Sequence, residues 1–296
     1  MSKEETKDTK KKNSKKEKKV KEPQYYVSAT NMKTLNYKVY YMKPLEKALY
    51  FIIAFAIGAA VGYLFYGGIG KDEFDQPTTL THVIDITVSC AVGLFAGKRF
   101  IPIRTSQIIN SRKKKLNSQF RDMLEALNTS LGAGKNVPDS FRSVYSDLSM
   151  QYDESAFILK ELEVIVNGMA NNIDIEDMLE DLGKRSGNGD IESFANVFKI
   201  SYRKGGNIKD TIRSTYEILS DKMEIREEIE TVVTGNKNEQ NIMIIMPIVL
   251  IGVIKYMSPD FAANFTTVTG IIATTIGVIL FVAAYYIGKI VLDIKV

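Results

Sequence analysis

Long uncharged hydrophobic runs near the two ends of the chain define its organisation. Residues 48–66 contain no charged residue in nineteen positions, and residues 268–287 contain none in twenty. Two weaker apolar runs accompany them, at 81–97 and at 241–257. Each run is long enough for a helix to cross a hydrocarbon layer of about 30 Å. The pattern therefore predicts four transmembrane helices. The alternative is that a run forms a buried helix of a soluble domain. Such helices seldom stay apolar on every face, so this alternative applies less to the two charge-free runs than to the two weaker ones.

Between these runs, hydrophobic residues recur at the spacing of amphipathic helices. Three units follow the same order of helix, tight turn and helix, with the second helices starting at Asn136, Asp174 and Asn207. These starts are 38 and 33 residues apart. The spacing resembles that of tetratricopeptide arrays, but the chain contains no Trp and lacks their signature. We therefore favour a compact bundle of three αα-hairpins over an open solenoid.

The residues at the three turns explain why each helix stops and the next begins. Glycine adopts the left-handed conformation that closes a helix, and Asn or Asp accepts hydrogen bonds from the free amides of a first turn. Proline fits in a first turn because its missing N–H has no partner there. The residues predicted to have these structural roles are Gly134, Asn136, Pro138, Asp174, Gly205, Gly206 and Asn207.

The predicted fold class is all-α: an integral membrane protein with four transmembrane helices and a cytoplasmic bundle of about six helices. The predicted domains are a basic, largely disordered cytoplasmic tail (1–47), a transmembrane hairpin (48–97), a basic cytoplasmic connector (98–115), a cytoplasmic helical domain (116–240), and a second transmembrane hairpin with a short cytoplasmic C-terminus (241–296).

Charge predicts the orientation in the membrane. Residues 1–22 contain ten Lys against five acids, and residues 98–115 contain seven Lys and Arg with no acid. The short loops after the first and third spans are acidic by comparison. Because Lys and Arg collect on the cytoplasmic side, we expect both termini and the central domain in the cytoplasm, on a multi-pass protein of the plasma (inner) membrane.

The net charge of +4 is unevenly distributed along the chain, and this distribution indicates which partners the chain can bind. Residues 116–240 contain 14 Lys and Arg against 23 Asp and Glu, a net of −9. An acidic domain is a poor nucleic-acid binder, since phosphate neutralisation needs clustered cations. We expect no nucleic-acid partner, and we expect the basic tail and connector to meet anionic lipid headgroups.

The chain offers little material for covalent or metal chemistry. It has one His and one Cys, and no Gly-Lys is followed by Ser or Thr as a phosphate-binding loop requires. Asp85 and His82 lie near the outer end of the second span, where their side chains can reach water, and Pro247 indicates a kink. We expect no catalytic residue, no metal, no cofactor and no enzymatic activity.

An acidic run at the start of the fourth bundle helix has two interpretations. It consists of Asp174, Glu176, Asp177, Glu180 and Asp181, which lie within eight residues. They could complement the positive end of the helix, or they could form a docking face for a basic partner. The run lacks the Gly and the spaced Glu of a calcium loop.

Several segments resemble one family of secretion proteins. The stretches "MLEALNTSLGAGKNVPDSF", "IDIEDMLEDLGKR" and "FKISYRKGGNIKDTIRSTYEILSDKMEIREEI" are similar to the type II secretion system F domain. The C-terminal "MSPDFAANFTTVTGIIATTIGVILFVAAYYIGKIVLDIKV" resembles the TadB-like platform proteins of tight-adherence (Flp) pilus assembly. The similarity covers about 98–296. The polylysine tail is outside the pattern, and Asn171-Asn172 stands where the family commonly has Gly.

The resemblance implies an inner-membrane platform for a type IV-like pilus or type II secretion machine, without catalytic residues. It implies as partners a hexameric secretion ATPase, pilin subunits, and a TadC-like homologous platform protein or further copies of this chain. We expect the acidic face 174–181 and the capped helix that starts at Asn207 to contact the ATPase. The alternative is a membrane transporter subunit whose helical domain docks an ATPase, although its spans offer few polar groups. A membrane-anchored signalling protein would need a cytoplasmic phosphoacceptor His, which His82 is not.

Overall fold

The computed structural model describes residues 22–28, 30–70 and 76–292, of which 81% are helical. Two short antiparallel strands come first, β1 (Tyr25–Val27) and β2 (Lys33–Leu35). Nine helices follow in this described part: α1 Pro44–Tyr66, α2 Thr79–Gly132, α3 Val137–Gln151, α4 Phe157–Ala170, α5 Ile175–Ser186, α6 Gly189–Arg203, α7 Ile208–Met257, α8 Pro259–Asn264 and α9 Val268–Leu292.

Four of these helices are long and apolar enough to cross a membrane, which indicates a multi-pass membrane protein. The four are α1, α2, α7 and α9. Helix α2 has 54 residues and helix α7 has 50, so each extends far beyond its apolar part. The segment 98–115, expected as a separate connector, is instead the middle of α2. Lys and Arg are good helix formers, so a basic segment between two helices continues the helix.

Helices α1 and α2 form a closely packed hairpin because glycines lie where they cross. A Cβ atom added at Gly58 would come within 2.7 Å of the Ala96 Cβ and 3.1 Å of the Gly93 Cα. A Cβ atom added at Gly93 would in turn come within 2.8 Å of the Phe55 ring. Small residues of this kind let membrane helices approach closely enough for van der Waals contact between backbones.

The bundle consists of α3 to α6, the part of α2 from Leu116 onward and the part of α7 up to Met223. These segments share one hydrophobic core, as expected for a compact bundle. Phe194 is at its centre, with its ring centroid 5.4 Å from that of Phe120 and 5.7 Å from that of Phe198. Fully or almost fully buried side chains come from all six helical segments: Leu116, Phe120, Leu127, Phe141, Val144, Ile158, Leu162, Leu179, Leu182, Phe194, Phe198, Ile212 and Leu219.

The N-terminal segment, residues 22–28 and 30–43, is ordered against the bundle, in contrast to the largely disordered tail expected over 1–47. Its Tyr37 side chain is 1% exposed and meets the Phe157 ring edge-on at a centroid distance of 5.5 Å. The backbone N–H of Tyr37 donates to the Arg185 carbonyl at 3.0 Å. Residues 1–21, which hold most of the lysines of the tail, lie outside the described residues.

Two glycine substitutions, one at the α1–α2 contact and one away from it, test this packing. Gly58→Val should lower the free energy of unfolding by about 1–3 kcal/mol, because the added side chain overlaps the α2 backbone. Thermal unfolding in detergent, followed by circular dichroism, measures the change. Gly277→Val in α9 is the matched control, since a Cβ there meets nothing within 4 Å. Equal effects of the two substitutions would contradict close packing at Gly58.

Candidate functional site

The three helix turns place the residues that the sequence analysis assigned to them. Gly134 has a φ of 87°, and the Asn136 side-chain oxygen accepts from the Asp139 N–H at 2.8 Å. Pro138 is the second residue of α3. These residues turn the chain at the end of α2, so that α3 packs back against it.

The third turn has a similar geometry. Gly205 has a φ of 70°, and the Gly206 N–H donates to the Ser201 carbonyl at 2.7 Å. The Asn207 side-chain oxygen then accepts from the Asp210 N–H at 3.3 Å. This turn starts α7, the helix that leads to the third candidate membrane span.

The middle turn differs in its cap. Asp174 precedes α5, but its side chain accepts no capping hydrogen bond. Asn172 has a φ of 57°, the left-handed conformation in which Asn replaces Gly most readily. The backbone therefore makes the turn, and Asp174 contributes its charge near the positive end of α5.

The predicted docking acids on α5 are held in ion pairs within the chain. Glu176 is 5% exposed, so a partner could not reach much of it. Hydrogen bonds from Lys184 and Lys199 lower the pKa of Glu180 to about 2. The ion pairs are Glu176 with Arg203 at 3.0 Å, Asp177 with Lys199 at 3.0 Å, Glu180 with both Lys184 and Lys199, and Asp181 with Arg185 at 2.6 Å. The pairs with Lys199 and Arg203 join α5 to α6, those with Lys184 and Arg185 lie within α5, and together they leave little free negative charge for a basic partner.

A buried ion pair connects the bundle to the N-terminal segment. The Arg185 guanidinium donates to both carboxylate oxygens of Glu161, at 2.9 and 2.7 Å, and each side chain is 4% exposed. Arg185 also donates to the Leu35 carbonyl at 3.0 Å. The Tyr37 hydroxyl donates to Glu161 at 2.9 Å. Burial raises the pKa of Tyr37 well above its usual value, and the negative charge of Glu161 adds to the shift, so the hydroxyl stays protonated as a donor.

The sequence analysis did not identify Tyr37, Glu161 or Arg185. One signal was available: Glu161 falls on the same helical face as Ile158, Leu162 and Ile165, where an acid needs a partner. The partner lies 24 residues away, and local patterns do not reveal a pairing at that distance.

An apolar groove opens between the candidate membrane helices α1, α2, α7 and α9. It has a volume of about 550 Å³. Pro247, expected to kink α7, lies in its wall, and Gly277 leaves space on α9. Near one end, the Lys255 ammonium group donates to the Leu64 carbonyl at 2.9 Å and lies 4.9 Å from the centre of the Phe265 ring. The groove thus has the chemistry to hold an apolar chain at the level of the membrane.

Asp85 has a structural partner. Its carboxylate accepts from the backbone N–H of Gly68 at 2.9 Å, just beyond the end of α1. The contact ties the turn after α1 to helix α2. His82 lies beside Asp85 in the same shallow pocket. Within the described residues, no group of three or more His, Cys, Asp or Glu side chains is placed to bind a metal ion.

Comparisons of the chain with protein-family models, with curated proteins and with solved structures found no match.

The buried ion pair makes a quantitative prediction. Arg185→Met should destabilise the protein by about 3–5 kcal/mol, because it leaves the Glu161 carboxylate buried and unpaired. Urea unfolding in detergent, followed by circular dichroism, measures the loss. Adding Glu161→Met should recover part of it, since both charges are then absent. The control is Arg213→Met, which breaks an exposed pair with Glu217 and should cost no more than about 1 kcal/mol. A loss for Arg185→Met as small as for Arg213→Met would contradict this role.

Proposed function

We propose that this chain is an inner-membrane platform protein of a type IV-like (Tad/Flp) pilus or type II secretion machine. In this role it couples a cytoplasmic secretion ATPase to the insertion of pilin subunits into a filament. The observation that carries the proposal is the continuity of α2 and α7, each of which runs from a candidate membrane span into the bundle. The resemblance to F-domain proteins supports the same assignment.

Helix continuity matters because it makes mechanical coupling direct. At 1.5 Å per residue, α2 and α7 are about 80 and 75 Å long. The core side chains Leu116 to Leu127 of α2, and Ile212 and Leu219 of α7, are fixed in the bundle. A displacement of the bundle must therefore move the membrane parts of both helices, or bend them. This behaviour suits a protein that works by movement, without a reaction of its own.

The apolar groove supports the second half of the proposal. Pilin subunits of such machines are handled as apolar helices within the membrane, and a groove between α1, α2, α7 and α9 would give such a helix a surface to contact. Pro247 removes one backbone hydrogen bond from α7 at the groove wall, so this helix can bend there. Bending at Pro247 would change the width of the groove.

The exposed face of α7 is a better candidate for ATPase docking than the acidic residues of α5. Asp221, Glu224 and Glu228 are exposed, and among the described residues they form no ion pair. Beside this acidic row, Ile218 is 67% exposed and Ile225 is 55% exposed. A basic and apolar surface on the ATPase would complement this face. A force applied here acts directly on a helix that enters the membrane.

Deletion of the chain in its host tests the function. We expect surface filaments to disappear while processed pilin accumulates in the inner membrane, because export would fail after pilin maturation. Electron microscopy of the cells and immunoblots of membrane fractions measure the two effects. Intact filaments together with a defect in solute uptake would contradict the platform and would support a transporter subunit instead.

Charge reversal tests the docking face. Replacing Asp221, Glu224 and Glu228 by Lys should reduce co-purification with the ATPase by about tenfold or more, since three favourable charge contacts become repulsive. The control replaces Asp147, Glu154 and Glu163, exposed acids on other parts of the bundle, by Lys. Equal retention of the ATPase by both variants would contradict docking at α7. Reversal of the α5 acids is a poorer test because it also breaks ion pairs within the chain.

A further inference from the structure

A second cleft, separate from the membrane groove, lies where α2 passes α7 and the turn between α5 and α6. Its volume is about 650 Å³. Five of its lining side chains are Lys or Arg and two are acids, so its wall carries a net charge of +3. The surrounding domain is acidic overall, which makes this local excess of positive charge unusual for the molecule.

Each of the two acids of the cleft pairs with one of its lysines. Glu230 pairs with Lys114, and Asp190 pairs with Lys222 at 2.6 Å. The hydrogen bond from Lys114 lowers the pKa of Glu230, so this acid remains ionised at neutral pH. Lys113 makes no salt bridge or hydrogen bond with any residue that the structure describes. Its ammonium group is therefore available for an anion.

Asn117 offers the cleft a side-chain donor. It lines the cleft and is only 4% exposed. Its side-chain oxygen accepts from the Asn188 amide at 2.6 Å. Its own NH₂ group donates to no atom in the described part of the chain. Because Asn117 lines the cleft, an acceptor bound there can receive a hydrogen bond from this NH₂ group.

The N-terminus of α6 lines the cleft next to Lys113 and Asn117. Asn188 is the N-cap of this helix, and Gly189 is its first residue. A Cβ atom built on the preceding Gly187 would come within 2.8 Å of the Lys113 ammonium nitrogen, so the free cation lies next to this helix end. The Asn188 side chain already accepts from the Asp190 N–H at 2.9 Å, and the remaining first-turn amides and the helix dipole favour an anion at this position.

We propose that this cleft binds the phosphate group of a soluble phosphorylated ligand. Lys113, the Asn117 amide and the first turn of α6 supply donors to the phosphate oxygens, with Lys222 of α7, which pairs with Asp190, beside them. A carboxylate ligand would use fewer of these donors, whereas phosphate offers three or more acceptor oxygens. The volume of the cleft exceeds that of a phosphate group, so it accommodates a larger phosphorylated molecule.

The position of the cleft favours a soluble ligand over a lipid headgroup. Lys114 contacts Glu230, which precedes the predicted span at Asn241 by eleven residues, or about 16 Å of helix. The headgroup layer on one side of a bilayer is about 5–8 Å thick. The donors around Asn117 therefore lie below the depth at which headgroup phosphates of a flat bilayer are found.

Such a ligand would have a mechanical effect. Lys113 belongs to α2 and Lys222 belongs to α7, so one phosphorylated ligand would bridge the two long helices just before they enter the membrane. A ligand that binds one spacing of α2 and α7 better than another shifts the population toward that spacing. The concentration of the ligand would then regulate the movement between bundle and membrane.

Binding of inorganic pyrophosphate to the full chain tests the proposal. The protein is placed in nanodiscs of phosphatidylcholine alone, and the titration is followed by calorimetry. We expect saturable binding in the micromolar to millimolar range that Lys113→Gln and Asn117→Ala each weaken by about tenfold, since each removes one donor to a charged group. Lys160→Gln is the matched control, because Lys160 is exposed on α4 away from the cleft and should leave affinity within about twofold.

Two results would overturn the proposal. The first is absence of pyrophosphate binding at millimolar concentrations, or binding that Lys160→Gln weakens as much as Lys113→Gln. The second comes from nanodiscs that contain phosphatidylglycerol: if Lys113→Gln alters lipid association while pyrophosphate does not bind in either type of disc, the cation serves a lipid headgroup. Circular dichroism of each variant shows whether the fold is retained. Lys113 is partly exposed, so Lys113→Gln should keep the fold. Its pyrophosphate affinity therefore tests the proposal even if Asn117→Ala is destabilised.

Discussion

The requirement that backbone amides find partners inside a bilayer governs this structure. A chain crossing hydrocarbon must form its hydrogen bonds within the helix, and ending a helix leaves four N–H or four C=O groups without partners. In α2 and α7 one end of the helix lies far from the apolar region, in the bundle turns at Gly134 and Asn207, where capping hydrogen bonds supply partners. Continuing α2 and α7 as helices out of the apolar region satisfies their backbone hydrogen bonds. The same continuity joins the bundle to the membrane spans.

The position of the bundle relative to α1 depends on a different interaction, the buried contact of Arg185 with Glu161. Such a pair contributes little net stability, because desolvation offsets most of the attraction. Its value here is in its geometry. The same guanidinium holds the Leu35 carbonyl and the same carboxylate holds the Tyr37 hydroxyl, so the pair fixes the chain nine and seven residues before α1 begins at Pro44. The bundle is therefore attached to the membrane hairpin through the N-terminal segment as well as through α2.

Local physical chemistry accounts for how much could be predicted. The four membrane helices follow from composition, and the turns at Gly134, Asn172 and Gly205 follow from the rarity of left-handed backbone at other residues. Two features could not be found this way. The basic residues at 98–115 were expected to form a connector between two helices. They are instead helical, because Lys and Arg have high helix propensity, and α2 continues through them. The order of residues 22–28 and 30–43 depends on Tyr37 entering the bundle, and only the folded arrangement brings Glu161 and Arg185 to it.

The acidic residues of α5 show why charge counted along a sequence differs from charge offered to a partner. Asp177 and Glu180 lie within one turn, yet Lys199, nineteen or more residues later, contacts both of them. In the folded protein this negative charge is neutralised by Lys199, and the resulting ion pairs join α5 to α6. On α7 the corresponding cations are absent from the outward face, so Asp221, Glu224 and Glu228 keep their charge for solvent or for another protein. Because α7 also borders the cationic cleft and carries Pro247, it is the element through which binding on the bundle would act on the membrane groove.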